Sequence, residues 1–105
     1  MTDFKTTDMA KADWNMLPKH LKKGIHNYIY YGVPVGDFLT AVLENNLNRT
    51  IFTADERSYE GLRNIVSFLY WYAPNSCHGS KEIVLKWRET YGLKGQGFTG
   101  LPDMI

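Results

Sequence analysis

"PKHLKKGIHNYIYYG", residues 18–32, decides the fold class. Proline suits the first position of a helix, where its missing N–H is not needed, and glycine suits the position just past the end. Between them, at about 100° per residue, Leu21, Ile25, Tyr28 and Ile29 form one apolar stripe, while Lys19, Lys22, Lys23, His26 and Tyr30 fall on the opposite face. This is the pattern of an amphipathic helix, and its stripe needs a second layer to pack against.

The segments on either side supply that layer. A turn through Pro34 and Gly36 leads into a second helix, with Asp37 as its N-cap and Phe38, Leu39, Val42 and Leu43 inward. Leu47, Ile51 and Ala54 suggest a short third helix before Asp55. A fourth runs from about Ser58 to Ala73, stopped by Pro74, with Leu62, Ile65, Val66, Leu69 and Tyr72 on one face. Phe68 and Trp71 fall well outside that arc. The fifth begins after Ser80, turns Ile83, Val84 and Trp87 inward, and ends at Gly92. No stretch alternates with period two for long enough to be a strand, so the expected fold is all-α, a compact bundle of four to five short helices.

The bundle spans residues 17–92, between a flexible N-terminal arm (1–16) and a Gly-rich C-terminal tail or flap (93–105). Trp14 and Leu17 are expected to clamp the end of the arm. Fixing the tail would cost roughly 13 kcal/mol in backbone entropy, and burying Leu93, Phe98, Leu101, Met104 and Ile105 would return about the same. The tail is therefore expected to stay mobile until a ligand or second subunit completes its burial, with Phe98 as anchor. "GQGFTG", residues 95–100, matches the spacing of a dinucleotide-binding loop but has no strand before it and no helix after it, so it carries no such function.

At 105 residues and a formal charge of +1, the chain fits one domain and has no general field to hold nucleic acid or an anionic membrane. No apolar run approaches the length of a membrane span, which predicts a soluble, cytoplasmic protein. A single cysteine rules out an internal disulfide, and the histidine spacings match no metal pattern; neither a metal nor a cofactor is implied. Aromatic residues make up 14% of the chain, more than so small a core readily hides, which points to self-association or ligand contact.

Several residues stand out chemically. Lys19, Lys22, Lys23 and His26, with Tyr30 one turn on, could grip phosphate while a ring stacks a base; the alternative is an ordinary solvated helix face. Lys81 opens the fifth helix, where free N–H groups favour an anion, although Ser80 and Glu82 can satisfy the same donors. Cys77 and His78 suggest a nucleophile and base, but adjacent loop residues rarely aim at each other and no orienting group is identifiable. Phe68 and Trp71 mark an interface, unless the fourth helix is covered on both sides.

Taken together, "LPKHLKKGIHNYIYYGVPVGDFLTAVLENNL", "AD", "IVSFLYWYAP", "CHGS" and Trp87 resemble a family of short, mostly uncharacterised proteins encoded by tailed bacteriophages. The resemblance covers Leu17 to about Tyr91 and is most specific over residues 31–47. In that family a tryptophan commonly stands where this chain has His78, which implies packing or stacking there rather than chemistry. The resemblance implies phage origin and action in the host bacterial cytoplasm, and brings no settled activity.

The leading expectation is a homo-oligomeric protein that sequesters a phosphate-bearing, nucleotide-derived signalling molecule to counter host defence. Lys19, Lys22, Lys23, His26 and Lys81 would meet phosphate, and Tyr30 or Trp71 the base. The alternative is a protein-interaction inhibitor of a host enzyme acting through Phe68, Trp71 and Phe98. An enzyme is the third reading.

Overall fold

A computed structural model describes residues 12–96. Among these residues there are seven α-helices, α1 (Lys19–Tyr31), α2 (Asp37–Leu43), α3 (Leu47–Thr53), α4 (Glu56–Glu60), α5 (Leu62–Trp71), α6 (Lys81–Glu89) and α7 (Gly92–Gly95), with short 3-10 turns at Trp14–Met16 and Asn75–Cys77. No strand occurs among the described residues, and the fold is all-α.

Local chemistry sets the helix ends. Pro18 sits at the N-cap of α1, and Gly32 closes the helix in the left-handed conformation (φ 70°), donating its N–H to the Tyr28 carbonyl at 2.9 Å. Asn46, Asp55 and Ser80 each accept an amide from the first turn of α3, α4 and α6, at 3.1, 2.7 and 3.2 Å. Asp37 is not a cap. Gly36 holds the N-cap position, and the Asp37 carboxylate instead pairs with Arg49 at 3.3 Å, tying α2 to α3.

The fourth predicted helix is two helices, α4 and α5, broken at Gly61. Pro18 packs directly onto this glycine, and a Cβ there would collide with the Pro18 ring. The start of α1 thereby sets where the chain bends.

Trp14, Leu17, Ile25, Tyr28, Ile29, Phe38, Leu39, Leu43, Ile65, Phe68, Leu69, Val84, Trp87 and Leu93 fill the core. Two hydrogen bonds run through it: the Tyr28 hydroxyl donates to the Cys77 carbonyl at 2.7 Å, and the Trp87 indole N–H donates to the Tyr28 carbonyl at 2.9 Å. One tyrosine so joins α1 to α6 and to the turn before it. Burial pushes its phenol far above the usual tyrosine range, so the O–H remains a donor.

The segment read as a tail opens with a helical turn. α7 places Leu93 fully inside, and its first residue, Gly92 (φ 68°), lies against the end of α1. A Cβ on Gly92 would stand 2.6 Å from the Gly32 nitrogen and 2.7 Å from that of Tyr31. The two backbones touch, and only glycine fits between them. Phe98 and the rest of the tail lie outside the described residues, as does the arm through residue 11.

Candidate functional site

The basic face predicted on α1 divides in two. Lys19 and Lys23 are exposed, and Lys22, half-buried, donates its amine to Asn15 Oδ1 at 3.2 Å. His26 and Tyr30 are not on that face but in the core. The His26 ring sits 5.5 Å from Trp14 and 4.5 Å from Tyr30, centroid to centroid, and its Nδ1 meets Asn27 Oδ1 at 3.3 Å. The physical reason is Trp14. It returns over the second half of α1 and covers the side that helical periodicity assigns to solvent.

The same indole accounts for Phe68. Its ring lies 4.9 Å from Trp14 and is wholly buried, so Phe68 belongs to the core and not to an interface. The buried arc of α5 is rotated toward Phe68, and Val66, expected inside, is half exposed. Trp71 stays outside, 64% exposed, with Tyr70 edge-on at 5.0 Å and 65% exposed.

Val66 and Tyr70 line a groove between α5 and the α2–α3 pair that is made of two adjoining pockets. At one end are Leu47, Thr50 and Leu62; at the other are Leu69, His78 and Gly79; Val42, Asn45 and Val66 are common to both, and the larger part encloses about 280 Å3. Leu47 is 71% exposed, and Phe52, also on α3, 86%. The short third helix exists as expected, but it turns its apolar side chains largely to solvent. Leu62, Val66 and Tyr70 follow at four-residue intervals along α5; of these, Leu62 and Val66 belong to the face expected inside, and Leu62 does pack against the core.

Near the loop, Cys77 is fully buried and burial pushes its thiol well above the ordinary range, which removes the thiolate that a nucleophile would need. Lys81 is exposed in the first turn of α6, where the Ser80 hydroxyl already accepts the Ile83 amide. Tyr31, Val33, Leu85, Arg88, Glu89 and Tyr91 border an open cleft of about 490 Å3, with the Lys94 amine 6.0 Å above the Tyr31 ring.

A polar chain that the sequence reading missed joins α1 to α4. Ser58 is buried, its N–H donates to Asp55 Oδ1 at 2.7 Å, and its hydroxyl lies 3.1 Å from His20 Nε2. The Ser58 backbone amide first, then its hydroxyl, holds the Asp55 carboxyl below the usual carboxylate range, with smaller help from His20 and Arg57.

A depressed native pKa stabilises the fold fully above the unfolded value and is lost as pH falls through the native one. Urea midpoints are therefore expected to fall below about pH 4, and Asp55→Asn to flatten that limb. An unchanged acid limb in the variant would show that Asp55 does not contribute to it.

Among the described residues no helix is long and apolar enough to cross a membrane. No family model, curated protein or solved structure matches this chain.

Proposed function

We propose that the chain is a protein-interaction module whose partner seats in the groove between α5 and the α2–α3 pair, with Tyr70 and Trp71 as aromatic anchors. The observation that carries this reading is the exposure of Leu47, Val66, Tyr70 and Trp71 along or beside two adjoining pockets. Apolar surface gathered in this way marks interfaces, and buried aromatic anchors dominate their energetics. The nucleotide-sequestering alternative retains Lys19 and Lys23 in solvent, but the His26 and Tyr30 rings expected beside them are in the core.

In keeping with the resemblance to tailed-phage proteins, the partner is a host cytoplasmic protein, an enzyme blocked by occupation of its surface. A symmetric homodimer through the same face is the self-association that the aromatic content led us to expect.

The test compares wild type with Val66→Asp and Trp71→Ala. Both positions are exposed, so stability should stay within about 0.5 kcal/mol of wild type. Binding to the partner recovered from host lysate, measured with the purified partner, should weaken at least about tenfold. A wild-type mass of two chains, reduced to one by Val66→Asp, would make a second copy the partner. Retention of the same partner at the same affinity by both variants would end the proposal.

A further inference from the structure

The described surface holds a further groove, of about 420 Å3, whose chemistry differs from that of the α5 face. One wall is α1, from which His20, Lys23 and Asn27 line the groove at intervals of three and four residues, so that they stack along one side of the helix. The other wall is the turn from Val33 to Gly36, together with Leu39; it is apolar, and no carboxylate is among the lining residues. Apolar walls with a few convergent polar groups are the ordinary make-up of a small-molecule site, and the volume falls in that range.

Each polar group has a defined role. Ser58 Oγ lies 3.1 Å from His20 Nε2 and holds the imidazole in place, which leaves Nδ1 as the ring nitrogen not engaged by Ser58. Asn27 Oδ1 meets His26 Nδ1, so its amide N–H groups are the donors left over. Lys23 is exposed and supplies a full positive charge. Asp55, at the N-cap of α4, interacts electrostatically with His20, and Lys19 and Lys23 flank His20 on α1.

We infer that this groove binds a small oxyanion, carboxylate or phosphate, carried on a short apolar body. The anion lies along His20, Lys23 and Asn27, and the apolar body lies against Val33, Val35 and Leu39. Ser58 positions His20 from behind. The site shares Lys23 with the basic face read from the sequence, but it uses His20 where His26 was expected and contains no stacking ring.

The experiment is an amide-resolved NMR titration of the full chain with hexanoate, hexyl phosphate and inorganic phosphate. Saturable shifts are expected at His20, Lys23, Asn27 and residues 33–36, with at least one hexyl ligand binding about tenfold or more tighter than inorganic phosphate. Whichever hexyl ligand binds more tightly identifies the headgroup. Lys23→Gln and His20→Gln should each weaken binding about fivefold or more, while Lys81→Gln leaves it unchanged. The absence of saturable shifts up to about 10 mM, equal binding by the Lys23→Gln/His20→Gln double variant, or inorganic phosphate binding as tightly as both hexyl ligands would overturn the inference. Since none of these residues lines the α5 groove, Val66→Asp should bind hexyl ligands normally, which keeps this result separate from the partner-binding test.

Discussion

Gly92→Ala should lower the thermal midpoint by roughly 10–20 °C or more, since about 2–5 kcal/mol is lost from a domain of this size. The left-handed backbone costs an alanine about 1–2 kcal/mol. Its methyl would also stand 2.6 Å from the Gly32 nitrogen and 2.8 Å from the Ile29 carbonyl oxygen, both backbone atoms that no rotamer change can move aside. Forcing them apart adds about 1–3 kcal/mol. Domains of this class hold only about 5–15 kcal/mol in total, so one methyl group removes a large share. Gly36→Ala is the control: φ is −69° there and a Cβ meets nothing within 4 Å, so stability should hardly change. If the two variants melt together, α7 does not pack on the end of α1 as described.

Trp14→Ala should cost about 3–5 kcal/mol, the usual loss for a large buried ring. The indole contacts three others, Phe68 at 4.9 Å, His26 at 5.5 Å and Tyr30 at 6.2 Å, so its removal uncovers one face of both α1 and α5. Urea denaturation should show a lower midpoint together with new dye-binding apolar surface at Phe68. Trp14→Phe, which keeps a ring in place, should recover most of the loss. A midpoint unchanged in Trp14→Ala would mean that the segment preceding α1 does not seal the core.

These two positions also show what the sequence could and could not reveal. Gly32, Ser80 and the α1 stripe were legible because each is a local matter, a cap or a period within one helix. Phe68, His26 and Tyr30 were misplaced because their cover comes from Trp14, and periodicity within one helix carries no information about a second cover arriving from another segment. The Gly61 break was hidden for the same reason, since it answers to Pro18. Of the candidate site residues, Lys19, Lys23, Trp71 and Lys81 are exposed. The His20–Ser58–Asp55 chain joins residues that are distant in sequence and individually ordinary, so no motif announced it.

Trp14 and Trp87 are shielded and Trp71 is not. The molecule therefore carries a built-in optical reporter. Iodide should reach the emission of Trp71 alone, and a Trp14→Phe/Trp87→Phe chain would fluoresce only from the proposed contact face, so that its spectrum shifts to the blue at the moment a partner lands.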